Sequence, residues 1–315
     1  MLPDNPLYGV SGVQAGIIYL GVGASAPVPG RGLASIALIY KGSIYLFDVG
    51  EGTQERLVAL GLSPLRIRAV FITHLHGDHF FGLPGLLQFM TLSSRKAKLS
   101  IIAPKGIEDY IANAERVTGH LRSFDIDFVD VKSGLVYRDE NINVYAYPVC
   151  HGSIRAYGFV VEEHPRPGRV RVDRLEQLGV KPGPFISRLR RGESVIVNNI
   201  VLKPEDVIEP PRRGFKIVYT GDTRPCITTV ENAREADLLI HDATFSSSEV
   251  NEAREKGHST VREAALVARL AKAKCLALIH FSARYRDVYL LAREASSLMS
   301  CAYAAEPQLL HVIRL

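Results

Sequence analysis

The sequence predicts an α/β or α+β protein in which short strands and amphipathic helices alternate along the chain. Apolar runs at 17–20, 99–103 and 216–220 have the length and composition of buried strands. Residues 260–271 repeat small and apolar side chains at helical spacing, which predicts a helix with one buried face. Because each element must bury its apolar face against another, the alternation favours sheets layered with helices.

The remaining elements follow from local signals. Lys41-Gly42 lies between two apolar runs, and such a two-residue connection predicts a hairpin of strands 35–40 and 43–48. The helical spacing that begins at residue 51 is predicted to stop at Gly61. Similar patterns predict strands at 68–73, 142–148, 157–162, 238–241 and 275–280, and helices at 84–91, 107–117 and 288–299.

The composition is that of a globular enzyme. With 315 residues, 47% of them hydrophobic and 23% charged, the chain can bury a full core, and one domain over 1–315 is expected. The sequence has neither a secretory signal nor an apolar run long enough to span a membrane, which predicts a cytoplasmic protein. The net charge of +5 is compatible with a polyanionic partner.

The four cysteines are predicted to serve as small, buried apolar residues. They lie far apart in the sequence and form no C-x-x-C pair, which argues against a zinc knuckle or a redox motif. The sequence leaves their oxidation state open. The four positions are Cys150, Cys226, Cys275 and Cys301.

Residues 163–213 differ in composition from the sequence on either side. Prolines punctuate this segment and arginines are frequent in it, which predicts an excursion from the main core. By charge alone, the segment would be interpreted as a solvated basic loop. Its basic residues include Lys181, Arg188, Arg190 and Arg191.

The hexapeptide HLHGDH is the strongest functional signal in the sequence. In an extended segment side chains alternate, so His74, His76 and Asp78 are expected to face the same way. Gly77 allows the chain to bend, and His79 can then turn toward the same space. Imidazole and carboxylate ligands this close together suit a pair of metal ions, zinc first, with manganese or iron as alternatives.

Polar residues also follow the ends of several other predicted strands. His151, Asp222, Asp242 and His280 each come closely after an apolar run. Side chains at the ends of strands in a rigid sheet can be held accurately enough to form an active site. These four residues are therefore candidates to join the histidine cluster. Taken singly, Asp222 could equally be a turn residue and His280 a structural histidine.

Several segments, in order along the chain, resemble the tRNase Z family of the metallo-β-lactamase fold. HLHGDH matches the H-x-H-x-D-H signature of the superfamily, and YTGDTRP, HDATF, GHST and HFSARY are more specific to tRNase Z. The resemblance covers almost the whole chain. It implies an αββα sandwich with a protruding arm at 164–210, and a zinc-dependent endoribonuclease that removes the 3′ trailer from precursor tRNA.

The resemblance also implies a role for each residue of the cluster. Two zinc ions per subunit would be bound, and the carboxylate of Asp222 would bridge them. Asp78 would in addition act as the general base of the reaction. The first ion would be held by His74, His76 and His151, and the second by Asp78, His79 and His280.

His258, in the GHST segment, is implied to donate a proton to the leaving group while Asp242 orients it. An imidazole held by a carboxylate suits an acid that works at neutral pH. Asp242 stands where glutamate is more common, so its carboxylate is one methylene shorter, and a direct contact with His258 is left open. The alternatives are a turn residue for Asp242 and a residue that precedes a helix for His258.

The arm is implied to grip the tRNA elbow through phosphate contacts made by the basic residues named above. In the family such an arm serves the partner subunit, which implies a homodimer. By the same resemblance, Arg31 is expected near the 3′ nucleotides of the tRNA. Arg284 is a candidate to contact the RNA backbone or a base, and it could equally be a packing residue. The segment GVGASA is no dinucleotide fingerprint, since Pro27 and Pro29 fall where its helix would begin and continue.

Two other functions are compatible with parts of the sequence. A hydrolase of small phosphodiesters or thioesters would share the metal ligands, but it would need no distant basic clamp. A non-catalytic tRNA-binding protein with structural metal would be expected to use closed, four-coordinate sites, usually with cysteine. Ligands drawn only from His and Asp leave room for water, which favours an enzyme.

Overall fold

The computed structural model of the protein describes residues 15–313. By its internal contacts the chain divides into two compact units, each with its own hydrophobic core. The larger unit contains the described parts of 1–139, 143–161 and 215–315, and the smaller one contains 140–142 and 162–214. Within the described part of the chain, every helix is too short or too polar to cross a membrane.

The strands match the predicted apolar runs closely at most positions. The predicted hairpin on either side of Lys41-Gly42 is present, and the strands found at 99–103 and 142–148 have the predicted bounds. The strands are β1 (Ala15–Gly21), β2 (Ser35–Tyr40), β3 (Ser43–Phe47), β4 (Ile67–Phe71), β5 (Leu99–Ala103), β6 (Ile126–Asp130), β7 (Gly134–Arg138), β8 (Ile142–Pro148), β9 (Tyr157–Glu163), β10 (Val195–Val197), β11 (Ile200–Leu202), β12 (Lys216–Tyr219), β13 (Leu238–Asp242), β14 (Leu276–Ile279), β15 (Ala302–Ala304) and β16 (Leu310–Val312).

The helices predicted from apolar spacing are present, and the structure also contains several short helices. The helix predicted at 260–271 begins after Thr260, whose side chain accepts a hydrogen bond from the backbone of Glu263 in a capping box. The helices are α1 (Thr53–Ala59), α2 (Gly77–Phe80), α3 (Leu83–Leu92), α4 (Ile107–Thr118), α5 (Val172–Gln177), α6 (Ile186–Arg190), α7 (Pro204–Val207), α8 (Ile227–Asn232), α9 (Val250–Lys256), α10 (Val261–Leu270) and α11 (Val288–Ser296).

Two seven-stranded mixed sheets form the larger unit. The first has the order β16-β1-β2-β3-β4-β5-β6, with β3 to β6 paired in parallel and the other pairs antiparallel. The second has the order β15-β14-β13-β12-β9-β8-β7, with β12 to β15 parallel. In each sheet the parallel strands bring their carboxyl ends to one edge, where the loops that follow them meet.

Aromatic side chains fill the space between the two sheets. Phe47 and Phe71 of the first sheet stack with their ring centroids 4.8 Å apart, and both contact Phe159 of the second sheet. The opposite face of each sheet carries aliphatic side chains that pack against helices: α1, α3 and α4 on the first sheet, and α10 and α11 on the second. Because side chains alternate along a strand, the result is four layers, which confirms the predicted αββα sandwich.

The smaller unit has regular structure of its own. It contains α5, α6 and α7 and the two-stranded sheet β10-β11, so the segment whose prolines predicted an excursion from the main core is a small folded module. Its helices have one or two turns and its strands a few residues. They are too short to give a periodic pattern of apolar residues in the sequence. Its core is made of Leu175, Val180, Leu189, Val195, Leu202 and Val207.

The strands of the sandwich that the sequence did not predict all lie at the edges of the sheets. β6, β7, β15 and β16 are the four edge strands of the two sheets. Their side chains are mostly half-buried or exposed, so their sequences lack the apolar runs that mark the central strands.

One expectation about the cysteines was wrong. Cys275, which precedes β14, forms a disulfide with Cys301, which precedes β15. The two residues lie side by side because these strands pair in parallel, a neighbourhood that their separation in sequence conceals. Cys150 and Cys226 are free thiols.

Candidate metal centre

The predicted ligands come together at the ends of strands from both sheets. His74 follows β4, His151 follows β8, Asp222 follows β12 and His280 follows β14, and all four side chains are buried. His280 has a φ of 63°. A non-glycine residue is held in this left-handed conformation only where the surrounding structure enforces it, as at functional sites.

The HLHGDH segment changes conformation in its middle. His76 is extended, with φ −81° and ψ 141°, and α2 begins directly after it at Gly77. Asp78 therefore lies on a helical turn and not on the extended segment that the alternation of side chains predicted. The turn still brings Asp78 and His79 to one space, since Asp78 Oδ2 lies 3.6 Å from His79 Nε2.

Asp222 stands between two sets of histidines. Its Oδ2 atom faces His74 Nε2 at 3.7 Å and His151 Nε2 at 3.9 Å. Its Oδ1 atom faces His79 Nε2 and His280 Nε2, each at 3.3 Å. The two oxygens of one carboxylate thus point to two different groups of nitrogen atoms, which is the arrangement expected of a bridging ligand.

The donor atoms of these residues are close enough to share metal ions. In each of three overlapping groups, the candidate ligand atoms lie within 4.8 Å of one another. Two of the groups are those that the sequence resemblance implied, and the third contains the residues of the implied proton donor. The groups are His74, His76, His151 and Asp222; Asp78, His79 and His280; and Asp222, Asp242, His258 and His280.

Several of these atoms have no hydrogen-bond partner. Among the described residues, His74 Nε2, His79 Nε2 and Asp222 Oδ1 are buried and make no hydrogen bond. Leaving buried polar atoms unpaired costs free energy, so an arrangement that turns them toward one another needs a compensating group. Converging imidazole and carboxylate donors fit divalent metal ions such as zinc, manganese or iron.

In three of the ligand histidines, His79, His151 and His280, a partner fixes the ring nitrogen that faces away from the centre. Asp48 Oδ2 accepts a hydrogen bond from His79 Nδ1 at 2.8 Å, and the carbonyl of Gly257 accepts one from His151 Nδ1 at 2.9 Å. Thr244 Oγ1 donates to Asp242, so it accepts from His280 Nδ1 at 2.9 Å. In each ring the proton is thereby placed on Nδ1, and Nε2 is directed to the centre.

Asp48 orients a ligand of this centre, and sequence reasoning missed it. It lies directly after β3 with a φ of 55° and is completely buried. Besides His79, its carboxylate accepts hydrogen bonds from the Thr73 backbone N–H at 2.8 Å and from the Tyr219 hydroxyl at 2.6 Å. Like the predicted ligands, Asp48 lies at the end of a strand. The sequence gives no motif around it that would mark it as part of the centre.

Burial and charge together set the ionisation of the centre. Burial lowers the pKa of His74 and neighbouring His79 lowers it further, which keeps this imidazole neutral. Burial would also lower the pKa of His79, but the carboxylates of Asp222 and Asp48 outweigh it and raise the pKa well above its usual value. The surroundings of His79 Nε2 therefore favour a positive charge, from a proton or from a metal ion.

Asp78 and Asp222 are held in the ionised form. Burial raises the pKa of both carboxyl groups, but the neighbouring histidines more than compensate. The contacts with His280 and His79 hold the pKa of each below its ordinary range. Both groups are thus carboxylates at neutral pH, as metal ligands must be.

His258 and Asp242 form a direct pair beside the ligands. His258 Nδ1 donates to Asp242 Oδ2 at 2.7 Å, and the second carboxylate oxygen accepts from the Thr244 backbone and hydroxyl. Burial lowers the pKa of His258, but the Asp242 carboxylate outweighs it and raises the pKa to about 9. The contact that the sequence left open is therefore present, and His258 Nε2 stays free to carry a proton.

The predicted RNA-contacting arginines of the larger unit already have protein partners. Arg31 donates to the backbone carbonyls of Ser282 at 3.2 Å and Arg286 at 3.1 Å, and also to that of Tyr285. Arg284 forms ion pairs with Glu249 at 2.7 Å and with Glu252 at 2.6 Å. These contacts fix the loop that follows His280.

The basic side chains of the smaller unit that are predicted to contact phosphates are mainly exposed. Glu193 accepts from Arg188 at 2.8 Å and from Arg191 at 3.0 Å, and all three side chains are at least two-fifths exposed. Arg190 and Lys181 are exposed as well. Basic side chains in this setting are able to meet a phosphate backbone.

Comparison with known proteins identifies the superfamily of this chain. Residues 29–134 match the metallo-beta-lactamase superfamily, and residues 207–281 match a beta-lactamase superfamily domain. Ribonuclease Z of Salinibacter ruber is 43% identical over 295 residues, which cover 92% of each chain. Ribonuclease Z of Methanothermobacter thermautotrophicus is 40% identical over 270 residues, which cover 86% of this chain and 87% of that one.

Solved structures lead to the same family. The crystal structure of the short form of human tRNase Z superposes with a TM-score of 0.69 at 30% identity, covering 95% of this chain and 100% of that chain. The relatives match over most of their own length as well as over most of this chain. By sequence and by fold, the chain belongs to the ribonuclease Z family of the metallo-β-lactamase superfamily.

Proposed function

We propose that the protein is an endoribonuclease that removes the 3′ trailer from precursor tRNA by hydrolysis of a phosphodiester bond. The observation that carries the proposal is Asp222, whose two carboxylate oxygens face two separate sets of histidines beside the His258–Asp242 pair. Membership of the ribonuclease Z family supports phosphodiester cleavage and a tRNA substrate.

Two divalent metal ions, in our proposal zinc, belong to this centre. His74, His76 and His151 would hold one ion, Asp78, His79 and His280 the other, and Asp222 both. When bound, the ions supply positive charge for the phosphate and a lowered pKa for the attacking water. Asp48, Thr244 and the Gly257 carbonyl hold the ligand rings in the orientation that this requires.

Asp78 is the proposed general base. It is ionised at neutral pH, and its Oδ2 atom lies 3.4 Å from His280 Nε2 and 3.6 Å from His79 Nε2. One carboxylate oxygen therefore faces the nitrogen atoms of the second ligand group, and in our proposal the other oxygen accepts a proton from the attacking water.

His258 is the proposed proton donor to the ribose 3′ oxygen that leaves. Its Nδ1–H is committed to Asp242, so Nε2 is the atom that gives up the proton. The raised pKa of about 9 keeps the ring protonated at neutral pH. Only 12% of its side chain is exposed, which limits competition from bulk water while leaving a path to a bound phosphate.

The smaller unit is the proposed RNA-binding arm. Its exposed basic side chains would contact phosphates of the tRNA away from the cut, giving affinity without reading bases. From the same resemblance, we further propose that the protein is a homodimer in which the arm serves the partner's active site. We propose that it acts in the cytoplasm. A small-substrate hydrolase would have no use for such a module.

The experiment that tests this function is end-mapping of a precursor tRNA with a 3′ trailer, incubated with the purified protein and zinc or manganese. A single cut next to the discriminator nucleotide, abolished by a chelator, is the expected result. A precursor left intact while small esters or phosphodiesters are hydrolysed well would keep the metal centre and overturn the substrate. If the metal-bound protein cleaves neither kind of substrate, the proposal that it is an enzyme is wrong.

A further inference from the structure

The metal centre is open to solvent on the side of the HLHGDH segment. Of the seven predicted metal ligands, His76 alone is exposed and Asp78 is partly exposed, while the other five are buried. A substrate phosphate therefore has to approach the centre past His76 and the helical turn that follows it.

An apolar rim borders this opening. Phe81, directly after α2, is 52% exposed, and Leu75, between two ligand histidines, is 37% exposed. The rings of Phe81 and Tyr110 are nearly parallel, with centroids 6.3 Å apart. Leu75 packs beside Gly106, whose carbonyl accepts a hydrogen bond from the Tyr110 backbone. Large apolar side chains that stay in water at the mouth of a polar centre indicate a binding surface.

The helical turn that Phe81 shares with Asp78 places the two residues side by side. Phe81 keeps helical angles, with φ −63° and ψ −18°, and its N–H donates to the Gly77 carbonyl at 2.9 Å. Residues three apart on a helix have Cβ atoms about 5–6 Å apart, so the Phe81 side chain starts beside the proposed general base.

Gly77 leaves the space that the Phe81 ring occupies. A Cβ atom at position 77 would collide with three atoms of this ring, so any larger residue would push the ring away. The ring thus lies against the backbone of the ligand segment itself. This packing holds one half-exposed aromatic ring at the opening of the metal centre.

We propose that Phe81 is a stacking platform for the base of the first trailer nucleotide, on the 3′ side of the cut. The inference rests on the proposed function. In-line hydrolysis puts the attacking water and the leaving ribose oxygen on opposite sides of phosphorus. Asp78 is the proposed base on the side of the water, and His258 the proposed acid on the side of the mature tRNA. The rim beside Asp78 therefore meets the trailer nucleotide.

The chemistry of the rim suits a base and not a phosphate. The side chains of Phe81 and Leu75 have neither a positive charge nor a hydrogen-bond donor, so they give a phosphate nothing to bind. An aromatic face stacks with any unpaired base, because every base has a flat π surface. A platform of this kind would hold the trailer next to the cut whatever its sequence.

The test is a double-mutant cycle on the zinc-loaded protein that combines Phe81 substitutions with removal of the base. The substrates are a precursor tRNA and the same RNA with an abasic first trailer nucleotide. In the wild type, loss of the base should lower kcat/KM by about 5- to 100-fold. F81A and F81L should lose as much on the ordinary precursor and lose nothing further on the abasic one. F81Y keeps the aromatic face and should behave like the wild type.

Two controls define position and specificity. An abasic discriminator nucleotide, on the other side of the cut, should leave the effect of F81L unchanged. L270A truncates an apolar side chain that is 70% exposed on α10, and it should cleave both precursors like the wild type.

Four outcomes would overturn the inference. The wild type may cut the abasic and ordinary precursors equally well, a result that does not depend on how any variant folds. F81L may equal the wild type, or F81A may lose as much on the abasic precursor as on the ordinary one, which would make Phe81 a packing residue. Sedimentation may show that F81A separates a dimer, which would assign the rim to a second copy of the chain.

The same experiment separates this inference from the proposed function. If the wild type cuts precursor tRNA and any of the four outcomes is found, the inference fails and the proposed function stands. If the wild type cuts no precursor at all, the proposed function fails and the inference fails with it.

Discussion

His258 Nδ1 lies 2.7 Å from Asp242 Oδ2, although the aspartate side chain is one methylene shorter than the more common glutamate. The backbone makes the contact possible, because an isolated parallel bridge between Phe245 and Thr260 draws the two segments together. The Thr244 backbone and hydroxyl hold the other carboxylate oxygen. The carboxylate is thus fixed in the direction of the imidazole.

The D242N substitution should move the alkaline limit of trailer removal to lower pH. Asp242 raises the pKa of His258 to about 9, so the proton that His258 donates is lost as pH rises through that value. Without the carboxylate the pKa falls, and the limit should shift down by about one to two pH units. The pH profile of kcat measures this, with D242E as the control that keeps the charge. An unchanged limit in D242N would exclude His258 as the acid.

The same pair has a consequence for stability in the metal-free protein. The folded-state pKa of His258 lies above the ordinary value of 6.5, so its protonation stabilises the fold fully below that value. The stabilisation is lost as pH rises through about 9. Unfolding of the wild type in denaturant at a series of pH values should show this loss, and D242N should not.

The D48N substitution should weaken metal binding by about 10- to 100-fold, because Asp48 orients the His79 ring without being a ligand. Competition with a chromophoric chelator measures the affinity. Y219F is the matched control, since it removes another hydrogen bond to Asp48 and leaves the His79 contact intact. Equal metal affinity in folded D48N and in the wild type would show that this contact is dispensable.

The D78A and H79A substitutions should each reduce turnover on the order of 10³-fold or more while the protein stays folded. Both residues lie on the short helix α2 and contribute to the centre, so the loss reflects chemistry and bound metal. Cleavage rate, metal content and circular dichroism are measured together. D109A, on the exposed side of α4, is the control. Retained cleavage in both variants would rule out the assigned centre.

The R31A substitution should lower kcat on a small phosphodiester by about 10- to 100-fold, because Arg31 holds the loop that follows His280. R31K keeps the charge but not the fork of donors, so it should recover little. If Arg31 acts only by touching RNA, hydrolysis of the small substrate will be normal and the KM for precursor tRNA alone will rise.

Replacing Arg188, Arg190 and Arg191 together with alanine should weaken precursor tRNA binding and spare a small phosphodiester. The side chains are exposed and outside the core of the smaller unit, so the module should stay folded. The slope of log affinity against log salt should become shallower by about two to three. E193Q is the control that frees Arg188 and Arg191, and it should bind at least as tightly as the wild type. An unchanged salt slope in the triple variant would count against the arm as an RNA-binding surface.

The sequence by itself determined the central strands and the nature of the centre. Residues 99–103 and 142–148 form strands with the predicted bounds, because the apolar side chains that mark them in the sequence are the ones that the sheets bury. The spacing of His74, His76 and His79 in the sequence was enough to predict them as metal ligands. These features depend on contacts within a few residues, which the order of side chains records directly.

Only the tertiary structure decided which distant residues serve that centre. Asp48 reaches His79, Asp242 reaches His258, and Cys275 bonds to Cys301, each through strands or loops that the fold makes neighbours. The four edge strands were likewise missed, because a half-exposed strand owes its pairing to the sheet it joins. Local sequence encodes which face of an element is buried, whereas the partner across the interface is chosen by the packing of the whole chain.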